Sequence, residues 1–465
     1  MVTLLRFHSK YMKKNNCFSL LFVLLFGLSM QAQSKKWTLE ECVKYAIDNN
    51  ISIKQTELDT KTANIDKKGA IGNFIPSLNS NASHSWNIGL NQDPTTGLLR
   101  NQTTQYSSMG VGVGFDIYKG MQNQNALRKA NLSIISAKYQ LTKMQEDVAL
   151  NVANAFLQVL FNKENLKVQQ NQKAINEKQL ARSEELVKAG SVPRGDLLDI
   201  KATVASDNQK IIVAENALLI SKLSLAQLLQ LKEFYDFDVT DETSAKDENN
   251  ILAQTPVAIY EKAKEERTEL KIAKTNLEIA EKNVSIAKGA FQPSLQGFYN
   301  INTRISYADT FSIINGMPAS QPAASFSDQF SNNKGQAFGA QLNIPVFNGF
   351  SVKNNVERSK VNLEKSKIAV EQEELALQRN VYTAFTDAKG GLKAYESAIS
   401  TLEARQEAFK YAKEKYDVGM MNSFDFNQSQ TMLSFAQSEV LRTKYDYIFK
   451  IKILEFYFGI PIIKI

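Results

Sequence analysis

Two cysteines, two histidines and two tryptophans in 465 residues leave this chain short of the side chains on which most site chemistry depends. His8 and Cys17 both precede Ala32, and beyond that point Cys42 is the single cysteine and His84 the single histidine. A lone cysteine makes no internal disulfide, and a lone histidine makes neither a His-rich metal site nor a two-His relay. No Ser/His/Asp set, zinc spacing or P-loop occurs, so neither catalysis nor a cofactor is expected. The glycines of Gly110-Val111-Gly112-Val113-Gly114 have the wrong spacing for a dinucleotide loop, and a strand continues where a helix would have to open. After Leu28 no uninterrupted apolar stretch reaches the roughly 18 residues of a membrane helix. If such a chain spans a membrane, it does so as a β-barrel.

The amino terminus does contain a processing signal. Arg6, Lys10, Lys13 and Lys14 precede an apolar run from Phe18 to Leu28, and small and polar residues follow, with cleavage expected near Ala32. Residues 1–32 therefore read as a signal peptide, because that run falls well short of the ~20 residues a spanning helix needs. Cys17 precedes the apolar run instead of ending it, which argues against a lipid-acceptor role. Without the leader, Lys plus Arg falls from 55 to 51 against 48 Asp plus Glu, a net charge of +3. The basic balance belongs largely to the leader, and no nucleic acid partner is implied.

The mature chain is written twice. Residues from about 111 to 230 align without a gap at an offset of 229: Tyr118-Lys119-Gly120 with Phe347-Asn348-Gly349, Ala155-Phe156 with Ala384-Phe385, Gly190 with Gly419, Asp196 with Asp425. Upstream the offset is 217, pairing Ala63, Ala70, Gly72, Phe74, Pro76 and Leu78 with Ala280, Ala287, Gly289, Phe291, Pro293 and Leu295. The change from 217 to 229 lengthens one loop of the second copy by twelve. The expected organisation is a first structural repeat at 33–230, a linker at 231–256 and a second repeat at 257–465. The linker reads as a surface segment with an acidic run and one short strand near Phe234 to Val239.

Four segments carry the alternation of barrel strands. Met109, Val111, Val113, Phe115 and Ile117 alternate with Ser108, three glycines and Asp116; Phe338, Ala340, Leu342, Ile344 and Val346 alternate with Gly339, Gln341 and Asn343. Ser77 to Leu90 sets Leu78, Ala82, Trp86 and Ile88 against Asn79, Asn81, Ser83 and Asn87, and Leu295 to Tyr307 repeats this with Arg304 on the polar face and Phe298 as an exception. A strand between lipid and a wet lumen has this pattern over about ten residues, although a soluble sheet with one solvated face shares it. The leader, the scarcity of Lys and Glu on the polar faces, and Trp86, Tyr106, Tyr118 and Tyr307 near strand ends favour the membrane. Asp116 and Arg304 are then the lumen-facing charges. Four strands cannot close a barrel, so copies must share one; two chains would supply eight strands and three chains twelve.

The remaining mass is helix. No proline or glycine occurs between Gly120 and Gly190, and Leu127, Ile134, Leu141, Val148 and Ala155 fall at heptad spacing, as do Val356, Leu363, Val370, Leu377 and Ala384. Heptads sustained this long predict coiled-coil hairpins. Their turns are Gly190, Ser191, Val192, Pro193, Arg194, Gly195 in the first copy and Gly419, Met420, Met421, Asn422, Ser423, Phe424 in the second. Asp196 and Asp425 follow in the first turn of each return helix, with Asp199 on the same face as Asp196. Two readings stay open for these carboxylates: helix capping, or rings around a pore mouth that attract cations in a symmetric oligomer.

Taken together, the duplicated helix hairpins with inserted strand pairs, the Phe74-Ile75-Pro76-Ser77-Leu78 and Phe291-Gln292-Pro293-Ser294-Leu295 motifs, and Tyr416-Asp417-Val418-Gly419 with Asp425 resemble the outer-membrane efflux protein family, the TolC-like channels. The resemblance covers residues 37 to 460 or so. It implies an α+β membrane protein: a homotrimer whose four strands per chain form a 12-stranded barrel in the lipid bilayer of the cell outer membrane, continuous with a periplasmic α-helical barrel and a mixed equatorial region at 231–256. It also implies a passive exit duct for efflux or type I secretion of drugs, metals or polypeptides, docked by a periplasmic adaptor and served by an inner-membrane efflux pump or ABC exporter. By position Asp425 matches a family aspartate at the aperture, Tyr416 a tyrosine that helps hold it shut, and Asp196 the first-repeat equivalent; the two turns match the adaptor-docking surface. Met421 stands where closed members of the family carry an arginine. A trimeric coiled-coil surface adhesin and a soluble periplasmic coiled-coil adaptor are the competing readings.

Overall fold

The computed structural model describes residues 36–92, 99–232, 235–241, 250–308, 310–314 and 316–462. The expected signal peptide and most of the linker's acidic run, residues 242–249, lie outside them. The first copy runs β1 (Lys36–Trp37), α1 (Leu39–Asn49), α2 (Ile51–Gly72), β2 (Ser77–Gln92), β3 (Leu99–Lys119), α3 (Gln122–Lys188) and α4 (Arg194–Leu229). After β4 (Asp238–Val239) and a 3-10 turn at Ile251–Ala253 come α5 (Pro256–Glu266), α6 (Thr268–Gly289), β5 (Ser294–Ser306) and a hairpin of β6 (Thr310–Ile314) and β7 (Met317–Gln321). The second copy then continues through α7 (Phe326–Asn332), β8 (Gly335–Asn343), α8 (Ser351–Asp417) and α9 (Ser423–Tyr457).

Two compact units contain these elements. The sheet unit comprises Gln55–Lys143 and Arg267–Leu377; the helical unit comprises Met1–Lys54, Met144–Glu266 and Gln378–Ile465.

In the sheet unit, β2, β3, β5 and β8 form one antiparallel sheet in that order, leaving β2 and β8 as its edges. Directly opposed residues share a face, so the registers Leu78↔Val113↔Tyr299↔Phe338 and Asn79↔Gly112↔Asn300↔Ala337 sort the sheet into an apolar and a polar side. The ladder slips between Asp116 and Tyr118, a bulge that leaves Ile117 unpaired. Both β2 and β3 extend past the alternating segments read from the sequence, while β8 stops at Asn343, short of the predicted Phe347. The second copy's long loop holds the β6–β7 hairpin and α7, which carry no signal of the period-2 or heptad kind. Each strand-to-helix exit passes through two successive left-handed residues, Gly120 (φ 57°) and Met121 (φ 61°) in one copy, Gly349 (φ 61°) and Phe350 (φ 63°) in the other.

In the helical unit the core collects around α1, the middle of α3 and the last turns of α4 and α9: Val43, Ala46, Ile53, Phe156, Leu160, Leu225, Leu229, Ile259 and Leu454 are fully withdrawn from solvent. A Thr38–Glu41 capping box starts α1, and Asn50 at its end donates to Leu228 O at 3.2 Å, tying the corner to α4. The linker is not merely a surface segment. Phe237, Val239 and Ile251 are buried, and β4 pairs in parallel with β1, because its few apolar residues reach the apolar surface beside it. Burial beside Glu41 pushes the Cys42 thiol up to about 12. By length and composition α4 is apolar enough to cross a membrane. It carries Glu215 and Lys222 within that stretch, however, and Lys222 pairs with Asp238 at 3.0 Å.

Candidate functional site

The polar side of the sheet is lined by short amides and hydroxyls standing over glycine. A Cβ on Gly110 would meet Asn81 Oδ1 at 2.9 Å, one on Gly112 would meet Asn300 Oδ1 at 2.5 Å, and one on Gly335 would meet Asn302 Oδ1 at 2.8 Å. The glycines are therefore room for asparagine, not a phosphate cradle. Phe298, the apolar exception, lies similarly over Gly339. Asp116 sits at one end of this face, accepting from Lys119 Nζ and Gln296 Nε2 at 3.0 Å and from Asn123 Nδ2 at 3.2 Å. Arg304 sits towards the other end, its guanidinium 4.4 Å from the centre of the Tyr106 ring. The opposite face presents Leu78, Trp86, Ile88, Val111, Phe115, Phe338 and Leu342 to the exterior. One sheet thus offers lipid-compatible and hydrated surfaces back to back.

The two hairpin turns share one backbone solution. Ser191 N donates to Leu186 O at 2.9 Å and Gly190 N to Val187 O at 3.0 Å; Met420 N donates to Lys415 O at 2.8 Å and Gly419 N to Tyr416 O at 3.1 Å. Both are Schellman stops, and Gly190 (φ 70°) and Gly419 (φ 78°) occupy the left-handed position that favours glycine. The restarts differ. Asn422 caps α9 by accepting from Asp425 N at 2.8 Å and donating to Asp425 Oδ2 at 3.0 Å, whereas Pro193 precedes α4 with no side-chain cap. Asp196 lies half-exposed in the first turn of α4, with Asp199 exposed one turn on.

Tyr416 joins the hairpins. Its hydroxyl accepts from Gln179 Nε2 of α3 at 2.6 Å, and its ring stacks on Phe426 at 4.5 Å and 18°. One residue later Asp417 pairs with Arg182 of α3. Gln179 and Arg182 were not among the residues singled out from the sequence, and Asp417 entered only as part of the Tyr416–Gly419 motif, with no role assigned. No local signal marks them, because each finds its partner in the other copy of the repeat.

Against these features stands a comparison with known proteins. The family model of the outer membrane efflux protein matches residues 43–230 and 259–452. The chain belongs to the outer membrane efflux protein family. It is 22% identical over 388 residues to outer membrane protein TolC of Vibrio cholerae, covering 81% of this chain and 80% of that protein. The fold is shared with the outer membrane channel CmeC of Campylobacter jejuni (TM-score 0.76, 17% identity, 90% of this chain and 85% of that one). It is also shared with the outer membrane protein VceC of Vibrio cholerae (TM-score 0.74, 15% identity, 90% and 96%). As an outer membrane efflux protein the chain resides in the outer membrane with its helical portion in the periplasm. Outer membrane efflux proteins are channels, not enzymes.

Proposed function

We propose that this chain is the exit duct of a tripartite efflux or type I secretion assembly, working as a homotrimer after removal of residues 1–32. The observation that carries the reading is the four-stranded sheet with an apolar face, a hydrated face and two unpaired edges. Open edges are costly in lipid, and pairing β8 of one copy with β2 of the next satisfies both. Three copies give a twelve-stranded barrel wide enough for an aqueous lumen lined by Asp116 and Arg304.

The helices beside those edges support the same closure. Since α2 leads into β2 and α8 follows β8, edge pairing also brings α2 and α8 of neighbouring copies side by side. Exposed Leu58 and Ile65 on α2, and Val361, Ile368 and Leu375 on α8, recur at heptad spacing. At 1.5 Å per residue, Ile65 and Leu58 lie about 10 and 21 Å from the strand end of α2, and Val361, Ile368 and Leu375 about 15, 26 and 36 Å from that of α8. The two stripes interleave.

Drugs, metals or polypeptides would be delivered by an inner-membrane efflux pump or ABC exporter through a periplasmic adaptor docked on the turns Gly190–Gly195 and Gly419–Ser423. Asp196, Asp199 and Asp425 form acidic rings at the aperture, and Tyr416 with Gln179, and Asp417 with Arg182, hold the two hairpin ends of each chain together. Family membership speaks against both the adhesin and the soluble adaptor.

Planar-bilayer recording of the mature protein beside Asp196→Asn/Asp425→Asn tests the duct. Discrete cation-selective openings that lose selectivity in the double variant are expected. Openings identical in both would remove the carboxylates from the constriction, and membrane-inserted trimers that pass no current under any applied voltage would sink the duct itself.

A further inference from the structure

The helical unit carries a half-open cavity that the duct reading does not use. It measures ≈ 200 Å³ and is lined by Asn176 of α3, by Thr203, Asp207 and Lys210 of α4, and by Gln430 and Ser434 of α9 among others. Asn176 and Asp207 are each 1% exposed and Gln430 is 2% exposed, which is deep for one carboxylate and two amides. One carboxylate oxygen of Asp207 accepts from Asn176 Nδ2, and the other accepts from Lys210 Nζ at 3.2 Å. Because Asn176 turns its nitrogen to the carboxylate, its oxygen points away and has no partner. Gln430 likewise has none for either Oε1 or Nε2. Three of the five buried side-chain atoms without a partner among the described residues gather on this one cavity.

The chemistry of the set is lopsided. Two free amide oxygens join a carboxylate that has further lone pairs, against a single free donor, Gln430 Nε2. Lys210 neutralises Asp207 only from the rim, its side chain half exposed. The unpartnered acceptors are all oxygens beside one carboxylate, which suits a hard cation and offers no soft ligand. Among the described residues no three His, Cys, Asp or Glu side chains converge, so any such site must use amide oxygens. The second copy has no counterpart: there Asn176 and Asp207 align with Arg405 and Ala436.

We propose that Asp207, Asn176 and Gln430 bind a hard divalent cation, calcium or magnesium, whose remaining coordination sites are filled by water. The cavity has room for an ion and several waters. With one carboxylate the affinity falls at the weak end of calcium sites, about 0.1–1 mM. Ligands drawn from α3, α4 and α9 make the ion a staple between the two hairpins of one chain. The site needs neither a trimer nor a duct, so it stands or falls separately from them.

Isothermal titration of calcium chloride into chelator-dialysed, detergent-solubilised protein tests the proposal, in an Asp196→Asn/Asp425→Asn background that removes the turn carboxylates. One saturable site per chain is expected, together with a calcium-dependent rise in unfolding temperature. Asp207→Asn should abolish both. Gln430→Leu should weaken binding about ten-fold, and Lys210→Met should tighten it by freeing a carboxylate oxygen. A background protein that takes up no calcium, leaving the cavity merely hydrated, overturns the proposal. So does unaltered binding in Asp207→Asn. If Asp207→Asn fails to fold, affinities unchanged in both Gln430→Leu and Lys210→Met overturn it equally.

Discussion

The two copies keep their helices and change what fills them. Helices of 11, 22, 67 and 36 residues in the first copy face helices of 11, 22, 67 and 35 in the second. Their sheet strands do not match: 16 and 21 residues against 13 and 9. Inside, the first hairpin buries Asn176 against Asp207, while the second stacks Tyr416 on Phe426 at 4.5 Å and Tyr395 on Tyr447 at 6.2 Å. In the first copy those four aromatics align with Val187, Leu197, Leu166 and Leu218. Helix length is therefore set by the heptad period and the glycine stops, which both copies share, and interior chemistry is free to diverge within it.

The sharpest way to break that comparison is at the strand exits. Gly120 and Gly349 are equivalent and both left-handed, yet a Cβ on Gly120 would overlap the carbonyl oxygen of Gly289, whereas one on Gly349 has nothing within 4 Å. Gly349→Ala should cost only the left-handed backbone term, about 1–2 kcal/mol. Gly120→Ala must also displace the end of α6 and should cost at least ~3 kcal/mol or prevent folding. Guanidinium unfolding of both variants in detergent checks this, and equal losses would show the exits to be packed alike.

A middle-sized difference lies in charge. Lys163 of the first copy reaches Asp238 at 3.3 Å and Asp241 at 2.7 Å, and Lys222 reaches Asp238 at 3.0 Å; the second copy has Leu392 and Ile451 at those positions. Burial alone would raise Asp238, but the hydrogen bond and charge of Lys222, with the charge of Lys163, outweigh it and hold the carboxyl below its ordinary 3.8. A hydrogen bond from Lys163 holds Asp241 down as well. Burial would lower Lys163, but its bonds to Asp241 and Asp238 outweigh that and raise it above 10.5. Carboxylates depressed in the folded state contribute stability above pH 3.8 that is lost as pH falls through their folded values. The raised lysine contributes below pH 10.5 and is lost above its folded value. Stability should therefore plateau between those limits and fall on both sides, with three partly screened pairs supplying up to about 0.5 kcal/mol each. Lys163→Met/Lys222→Met should flatten the acid limb, as read by thermal unfolding from about pH 2 to 7. An unchanged limb would assign acid sensitivity elsewhere.

The helices, the hairpin turns and the two faces of the sheet were legible because each rests on a local signal. Heptads fix the long helices, Gly190 and Gly419 stop them, and alternation fixes which strand residues share a face. The β6–β7 hairpin and α7 were not legible, since Thr310 to Asn332 carries neither period. The short strand near Val239 was expected, but its pairing was not, because its partner β1 lies at the opposite end of the first copy. Arg182–Asp417 and the Asn176–Asp207–Gln430 cavity were invisible for the same reason. Polar positions on a heptad helix look solvated until another helix covers them.

The smallest expected difference bears most directly on the proposed aperture. Asp425 is engaged by its cap, Asn422, through both a backbone and a side-chain bond, whereas Asp196 follows Pro193, which offers no side chain to bond. Asn422→Ala should cost about 1 kcal/mol through the lost cap. Pro193→Ala removes only the stiffening of the unfolded chain, about 0.5 kcal/mol. The stability gap between them is modest, but conductance separates their meanings. Asn422→Ala releases the Asp425 carboxylate without removing its charge, so a carboxylate acting by charge in a ring should keep its cation selectivity while the helix end loosens. If selectivity falls with the cap, the geometry of Asp425, held by Asn422, matters as much as its charge. The first copy, uncapped at Asp196, then could not substitute for the second at the aperture, and the two turns would be equivalent in backbone alone.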